Sequence, residues 1–491
     1  MKTYLKYPSF LFLLPLFFFL VGYTDHGKFL HLNKIGIPYL LMYIAILGSY
    51  FLLNTIKKQP NKNALWVLYI ATIYLFFGNI KGRFDTIFST GSYTIFCVTI
   101  LLIPVLTLLL LRKFSTLEKQ LFSYANVLLL ALCITQSVLV AMAITKPDKY
   151  RLSTIHFKEI NQKTTPSIHM ILWDGYPGFR SLEKYFNYNN NDIKQKLRNK
   201  KYLVFDSINS NYFQTYFSIN ALLNMQYISY LHQVPLNQYY NVLHQLQQIN
   251  ENQLTQFLKR NKYRIYNNAI FELGNQSVLN NNPKFKSAEQ IHFNETLPKR
   301  LQKDFLWRFA KGKFKIKYAE EQTVLNQYNQ NNATINRLFE LKPKHPHFSY
   351  SHIIMPHEPY YTDSAGNFLD RTKAAKSNNE MLFINYIKFT NTIITKIASH
   401  LSEREPNSII IIMSDHGYRE YLKDSELPLK FNNFLAIYLP DSNYTKLSKM
   451  KSTQNLFRIL LNQYFDQTLP MLDDSCISIN EEKKQIISTK L

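Results

Sequence analysis

The sequence predicts a multi-span transmembrane helical bundle followed by an α/β domain built on a doubly wound, mostly parallel sheet. Three observations carry that expectation. Long stretches almost free of charge crowd into the first 145 residues; short, continuous apolar runs bounded by turn residues recur beyond residue 165; and between those runs apolar residues repeat at helical spacing.

The front of the chain holds most of the apolar excess. Ser9 to Tyr23, Ile35 to Asn54, Ala64 to Gly78, Ser92 to Leu111 and Leu121 to Thr145 are nearly uncharged, and most approach the roughly 20 residues a helix needs to cross a bilayer. Five spans are expected. The first follows Lys2 and Lys6, but Val21-Gly22-Tyr23 is a poor small-residue cleavage site and more spans come after it, so it reads as an uncleaved anchor rather than a signal peptide. Lys2, Lys6, Lys57, Lys58, Lys62, Arg112, Lys113 and Lys119 fall on one side of these spans, and Lys28, Lys34, Lys81 and Arg83 on the other. The first, richer set marks the cytoplasmic side. The expected organisation is a transmembrane domain over 1–145, a polar linker over 146–165, and an extracytoplasmic domain over 166–491.

The second domain supplies the strand pattern. Runs near 168 to 173, 348 to 355, 408 to 413 and 434 to 439 read as strands covered on both faces, and Glu380 to His400 repeats Leu382, Ile384, Ile387, Ile393, Ile394 and Ile397 as a helix does. Residues 185 to 200 and 236 to 285 are rich in Asn, Gln and Lys. They are expected to form solvated helices and loops, with disorder at Asn189 to Asn191. Cys97 and Cys133 fall inside spans and Cys476 stands alone, so no disulfide framework is expected. The formal net charge of +24 favours anionic partners; outside the cytoplasm and tethered at a bilayer, those are lipid headgroups and anionic polymers rather than nucleic acid.

Candidate chemistry sits at strand ends. Ile168 to Trp173 runs into Asp174-Gly175, and Ile409 to Met413 runs into Ser414-Asp415-His416-Gly417. Ligands gather at the carboxyl edge of an open α/β sheet. Asp174, Asp415 and His416 offer two carboxylates and one imidazole, a donor set for a hard or borderline divalent cation. Between them Asn211 to Ser218 is a polar entry into a helical pattern, which brings Thr215 forward as a hydroxyl beside the metal and a candidate nucleophile, with Ser218 next in line. Gly175 and Gly417 let the backbone turn away from the ligands. His357, held in the turn between Pro356 and Pro359, is a candidate for binding a phosphoryl oxygen or protonating a leaving group. His352, Trp173 and Tyr176 read as structural, and Arg371 and Lys373 as cations near the site or as solvated surface. Each signal is weak alone, a threonine opening a helix being by default a cap. Their order is what counts.

Taken together, Ile171 to Gly175, Asn211 to Ser218, Pro356 to Tyr360 and Met413 to Gly417 resemble the sulfatase-like branch of the alkaline phosphatase superfamily. Spans followed by an extracytoplasmic domain are similar in layout to lipoteichoic acid synthases and phosphoethanolamine transferases of bacterial envelopes. The resemblance implies an alkaline-phosphatase-like fold, one divalent metal ion (Mn, Zn or Mg) on Asp174, Asp415 and His416, a phosphorylated Thr215 and a substrate-binding His357. It implies a multi-pass protein of the bacterial inner (plasma) membrane that moves a head group from a phospholipid donor to an envelope glycan or lipid acceptor. Two rivals stand beside that transferase: a phosphodiesterase, phosphatase or sulfatase-like hydrolase on the same scaffold, and a non-catalytic membrane scaffold. Asp174 stands where the membrane transferases usually carry Glu. None of the three cysteines lies where a formylglycine sulfatase needs one, and His416 is the last histidine. Sulfate ester hydrolysis and a second catalytic metal are therefore disfavoured.

Overall fold

The computed structural model describes residues 7–89, 91–113, 115–145, 149–160, 165–234, 238–279, 287–311, 317–344, 346–369, 380–419, 427–480 and 485–491. Two compact units form: Met1–Pro147 with Lys286–Lys315, and Asp148–Phe285 with Ile316–Leu491.

The first unit contains five apolar helices, α1 (Phe10–His26), α2 (Leu32–Ile56), α3 (Pro60–Phe88), α4 (Tyr93–Lys113) and α5 (Ser115–Thr145). Among the described residues, three are long and apolar enough to cross a membrane, over Leu32–Ile56, Pro60–Phe88 and Thr116–Thr145. Three of the five expected spans meet that standard among the described residues, and α4 runs 21 residues. At 17 residues, α1 extends only about 26 Å at 1.5 Å per residue, short of the roughly 30 Å hydrocarbon core. Large apolar side chains such as Leu40, Ile44, Leu101, Ile134 and Val138 are left exposed, which suits helices solvated by lipid rather than water. One buried amide inside the bundle is paired twice. Asn126 of α5 accepts the Phe10 N–H at 3.1 Å and donates to the Tyr7 carbonyl at 3.0 Å, satisfying the start of α1. Lys81 and Arg83, read as loop charges, lie within α3; Lys81 is buried and ion-paired with Asp85.

Residues 287–311, read as part of the second domain, belong with this helical unit. They form helices Ala288–Phe293 and Leu297–Lys311. The backbone of α3 leaves helical geometry at Phe76, and Gly78 N–H donates to the Glu295 carbonyl at 2.8 Å. Tyr39 bonds His292 Nε2 at 2.6 Å. A Cβ on Gly22 would lie 2.2 Å from the His292 ring. The apolar periodicity of 288–311 is too short to reveal such a docking from sequence.

The second unit is a six-stranded sheet in the order β2 (Leu203–Val204), β8 (Leu435–Tyr438), β6 (Ile409–Ser414), β1 (Ile168–Trp173), β5 (His347–Ile353), β4 (Arg264–Asn268). β6, β1, β5 and β4 are parallel, while β8 runs against β6 and β2 against β8. All but β8 therefore share a direction, the mostly parallel sheet expected. Side chains alternate between two buried faces. Ile168, Met170, Leu172, Ile409, Ile411 and Met413 pack beneath helices α8 (Thr215–Asn224), α10 (Gln253–Arg260) and Leu456–Tyr464. Ile171, Trp173, Ile410 and Ile412 pack against α6 (Phe179–Phe186), α7 (Asn191–Asn199) and helix Glu380–Arg404. Two covered faces explain why the strands read as unbroken apolar runs.

Two polar expectations change. Asn190 is buried, and Asn191 N–H is bonded to the Asn189 side chain at 2.9 Å, so the stretch expected to be disordered is ordered. The Asn/Gln-rich 236–285 segment is not merely solvated either: Leu243, Ile249, Leu254, Phe257 and Leu258 enter the core. Its amides bury because they satisfy one another. Asn220 donates to Gln248 Oε1 at 2.7 Å, Gln245 to the Tyr230 hydroxyl at 2.7 Å, and Gln248 to the Tyr150 carbonyl at 2.6 Å. Tyr150 also stacks on His244, and Ile155, Phe157 and Ile160 pack on the core. The described part of the expected linker is thus a strap along the second unit.

Candidate active site and metal centre

The carboxyl ends of β1 and β6 lie side by side, because Trp173 pairs in register with Ser414. Asp174 follows the first strand; Asp415 and His416 follow the second. Ser414 locks the edge: its hydroxyl donates to the Tyr176 carbonyl at 2.7 Å and accepts from Phe434 N–H at 2.9 Å. Gly175 has φ +72° and its amide donates to Asp415 Oδ1 at 3.0 Å, a turn that favours glycine. Gly417 is needed for space, since a Cβ there would meet the Leu429 carbonyl at 2.2 Å and the Asn432 carbonyl at 2.4 Å.

Ligand atoms of Asp174, Asp415 and His416 all lie within 4.8 Å of one another, and all three residues are buried. His416 Nε2 is 3.6 Å from Asp174 Oδ1 and 3.4 Å from Asp415 Oδ2. Among the described residues, Asp174 Oδ1, Asp415 Oδ2 and His416 Nε2 have no hydrogen-bond partner. Buried polar atoms are normally paired, so three orphans pointing together fit a cation. The tautomer agrees. His416 Nδ1 lies 2.6 Å from the Gly417 carbonyl, so it must carry the proton and donate, which leaves the Nε2 lone pair for a metal. Burial and the Arg419 guanidinium push the His416 imidazole toward its neutral form, against the two carboxylates. Burial alone would push the Asp174 carboxyl up; the imidazoles of His357, His352 and His416 outweigh it and hold the group well below the usual carboxylate range. An ionised aspartate beside a neutral imidazole is the state that ligation requires.

His352, read from the sequence as structural, lies beside the three-residue group without being one of it. Its Nε2 lies 3.6 Å from Asp174 Oδ2, also buried and without a hydrogen-bond partner among the described residues. The strand ends at Ile353, so alternation counted onward to His357 says nothing about which way His352 faces. The usable signal was parity: His352 pairs with Leu172, two residues before Asp174 on the same strand.

His357 follows β5 in a turn clamped by helix Lys317–Glu340. Asn331 donates to the Ile354 carbonyl and accepts from Ile354 N–H, both at 2.8 Å, while Gln327 reaches the His357 and Glu358 carbonyls at 3.3 and 3.2 Å. His357 Nδ1 donates to the Glu358 carbonyl at 2.9 Å, so Nε2 is the nitrogen that can address a substrate. A small pocket is lined by Gly175, Pro356, His357, His416, Gly417 and Arg419. Arg419, not read from sequence, also donates to the Phe213 carbonyl at 3.0 Å. Arg371 and Lys373 lie outside the described residues.

Thr215 is buried and opens α8. It is not the cap: Gln214 holds that position in extended backbone, with no capping side-chain bond. One turn on, Ser218 Oγ donates to the Asp415 carbonyl at 2.6 Å. Residues three apart share a helix face, so the bond that fixes Ser218 to the metal-ligand loop aims the Thr215 face toward the same loop. It also occupies the hydroxyl proposed as the reserve nucleophile. Cys476 lies in strand Ser475–Asn480, buried, with its thiol pushed up to about 12 chiefly by burial.

No curated protein matches the chain in sequence. Solved structures similar to it include the C-terminal periplasmic domain of EcEptC from Escherichia coli in complex with Zn, at 10% identity over 67% of this chain and 94% of that one, with a TM-score of 0.42. The phosphonate monoester hydrolase of Agrobacterium radiobacter follows at 12% identity, over 64% of this chain and 80% of that one, with a TM-score of 0.37. The C-terminal periplasmic domain of the phosphoethanolamine transferase EptC from Campylobacter jejuni matches at 15% identity, over 61% and 90%, with a TM-score of 0.34. The sulfatase family model matches residues 173–457, more than half the chain and the whole span from Asp174 to His416. With Asp174, Asp415 and His416 placed together at one sheet edge, the chain belongs to the sulfatase family.

Proposed function

We propose that the chain is a membrane-anchored, metal-dependent phosphotransferase that moves a phosphoryl-linked head group from a lipid donor to an envelope glycan or lipid acceptor through a phosphothreonine at Thr215. The observation that carries the reading is the convergence of the unpartnered Asp174, Asp415 and His416 atoms; the helix that Thr215 opens is tied to the ligand loop through the Ser218 bond to the Asp415 carbonyl. Asp174, Asp415 and His416 would hold one divalent ion (Mn, Zn or Mg), with His352 as a candidate fourth; bound there, the ion supplies the charge that makes a hydroxyl nucleophilic at neutral pH and neutralises phosphoryl oxygens.

The chain's own residues then have defined tasks. Thr215 Oγ forms the bond to phosphorus and gives its proton to solvent, the lipid alcohol leaves, and His357 Nε2 delivers a proton to that departing oxygen. In the second half the acceptor hydroxyl attacks the phosphothreonine, His357 Nε2 takes its proton, the bond from phosphorus to Thr215 Oγ breaks, and a proton from solvent restores the Thr215 hydroxyl. Arg419 binds phosphoryl oxygens at the pocket mouth. Sulfate ester hydrolysis fits poorly, because a threonine, not a modifiable cysteine, opens α8.

The membrane helices support placing the site next to a lipid donor, where tethering raises the donor's effective concentration. Lys57, Lys58 and Lys62 around the α2–α3 turn, with Arg112, Lys113 and Lys119 around the α4–α5 turn, favour that end as cytoplasmic and the catalytic domain as extracytoplasmic, in a bacterial plasma membrane. The test uses the full chain in detergent with a fluorescent phosphatidylethanolamine or phosphatidylglycerol donor. Turnover should require a divalent ion and vanish in Thr215→Ala, and quenched reactions should carry the head group on the Thr215 peptide by mass spectrometry. Release of free head group at the same rate with and without acceptor would make the protein a hydrolase. No release with any donor would leave a scaffold.

A further inference from the structure

The opposite edge of the same sheet carries a second convergence of ligand atoms that the proposed reaction does not use. His169 lies near the amino end of β1, His347 opens β5, and Glu405 follows helix Glu380–Arg404 just before β6. The sheet's parallel order brings all three together, since His169 pairs with Ser349 on one side and Ile410 on the other. Asp174 is five residues further along β1, about 16 Å away at strand rise, so the two clusters are separate.

His169 Nε2 is 2.9 Å from Glu405 Oε2, His347 Nε2 is 3.7 Å from the same oxygen, and the two imidazole nitrogens are 3.3 Å apart. All three residues are buried. Zinc held tetrahedrally by nitrogen and oxygen at about 2.0–2.1 Å spaces its ligands by about 3.3 Å. The three separations straddle that value. A hydrogen-bonded histidine–carboxylate pair accounts for the shortest of them, but it does not require a second imidazole to aim its Nε2 at the same point.

The surrounding bonds orient two of the donors, His169 and Glu405. Ser349 Oγ lies 2.7 Å from His169 Nδ1; with the proton on Nδ1, the bond runs to Ser349 and Nε2 presents its lone pair, the arrangement that metal-ligating histidines adopt. Arg404 donates to Glu405 Oε1 at 2.9 Å, which leaves Oε2 for the cluster. Ser408 Oγ, buried, donates to Glu405 Oε2 at 3.4 Å, a long bond that a cation would displace.

The geometry points to a second divalent-cation site, of zinc class, formed by His169, His347 and Glu405 at the amino edge of the sheet. Its role is structural: it pins β1 and β5 to the end of helix Glu380–Arg404, far from the pocket where substrate is handled. Imidazole and carboxylate donors at this spacing suit zinc, and burial makes exchange slow.

The test is metal content in the full chain purified in detergent and dialysed against EDTA, then against zinc, read by elemental analysis. Asp415→Asn protein, stripped of a catalytic ligand, should retain one equivalent of zinc, and adding His347→Gln should remove it. Cobalt(II) added to apo Asp415→Asn protein, prepared by unfolding in chelator and refolding, should give the intense visible bands of a tetrahedral ion. Those bands should be missing when His169→Gln is also present. If His347→Gln fails to fold, the cobalt spectrum of Asp415→Asn still decides. Equal zinc in the presence and absence of the histidine substitutions, or a folded Asp415→Asn protein with neither zinc nor cobalt bands, overturns the proposal.

Discussion

Replacing Asp415 by Asn should stabilise the metal-free protein while removing the catalytic centre's share of its response to metal. Without an ion, two carboxylates and an imidazole face one another with Asp174 Oδ1, Asp415 Oδ2 and His416 Nε2 unpartnered. Asp174 and Asp415 carry ligand oxygens within 4.8 Å, a repulsion of about 3.5 kcal/mol at an effective dielectric of about 20. In Asp415→Asn the amide oxygen keeps the Gly175 N–H bond. The amide nitrogen then stands where Oδ2 stood, 3.4 Å from His416 Nε2, able to donate to two orphan acceptors. Most buried polar substitutions destabilise; this one should not. Wild-type protein should instead gain about 2.7 kcal/mol at metal a hundredfold above its dissociation constant, which the variant forfeits. The assay is thermal unfolding of the detergent-solubilised chain in chelator and across a metal titration. The midpoint in chelator should be higher by several degrees for the variant, and its metal-dependent shift should shrink to what the His169–His347–Glu405 site contributes. A lower midpoint in chelator, or an undiminished metal shift, would refute the assignment of Asp415 as a ligand held against its neighbours by the fold.

Ser218→Ala should cost about 1–3 kcal/mol, because the buried Asp415 carbonyl loses its donor; chemical denaturation checks it, and the accompanying loss of kcat should be partial, unlike the abolition expected for Thr215→Ala. Asn331→Ala orphans the Ile354 N–H and leaves its carbonyl only the 3.3 Å bond from Gln327, so it should destabilise by about 1–3 kcal/mol and lower kcat through the His357 turn; unchanged kinetics would show that the clamp does not position His357. Cys476, with its thiol pushed up to about 12 chiefly by burial, should resist maleimide at pH 8 in folded protein lacking Cys97 and Cys133 and react fully once unfolded. The sign for stability follows from the same shift. The unfolded thiol ionises near 8.5 while the folded one stays protonated, so this contribution is complete below that pH. It falls by about 1.4 kcal/mol per unit as pH rises toward 12, measurable as a lower denaturation midpoint that Cys476→Ala lessens.

What the sequence disclosed and what it hid divide along physical lines. β1, β5, β6 and β8 were legible because a strand covered on both faces must be apolar throughout, and the ligands stand immediately after two of those runs. β4 (Arg264–Asn268) and β2 (Leu203–Val204) were not, since an edge strand needs one neighbour and tolerates Arg and Asn. The Asn/Gln-rich segment misled for a related reason: polarity predicts solvation only where amides lack partners, and Asn220, Gln245 and Gln248 find theirs in one another and in tyrosines.

Histidine is where the pattern carried least. The chain places His352 and His416 at one sheet edge and His169 and His347 at the other, yet all four sit beside ordinary strand residues. A ring nitrogen's role depends on what holds the other nitrogen. For His416 that is the carbonyl one residue on, a bond local enough for Asp-His-Gly to imply it. His169 relies on Ser349, 180 residues later, and His352 on Tyr350 across its own strand. The register of β1 against β5 is what exposes the His169 partner and what sets His352 beside Asp174. A motif can therefore announce a ligand whose orienting bond lies within the motif, while a ligand oriented by strand pairing stays hidden until the pairing is known. That is why the carboxylate-histidine edge was readable and the two-histidine edge was not.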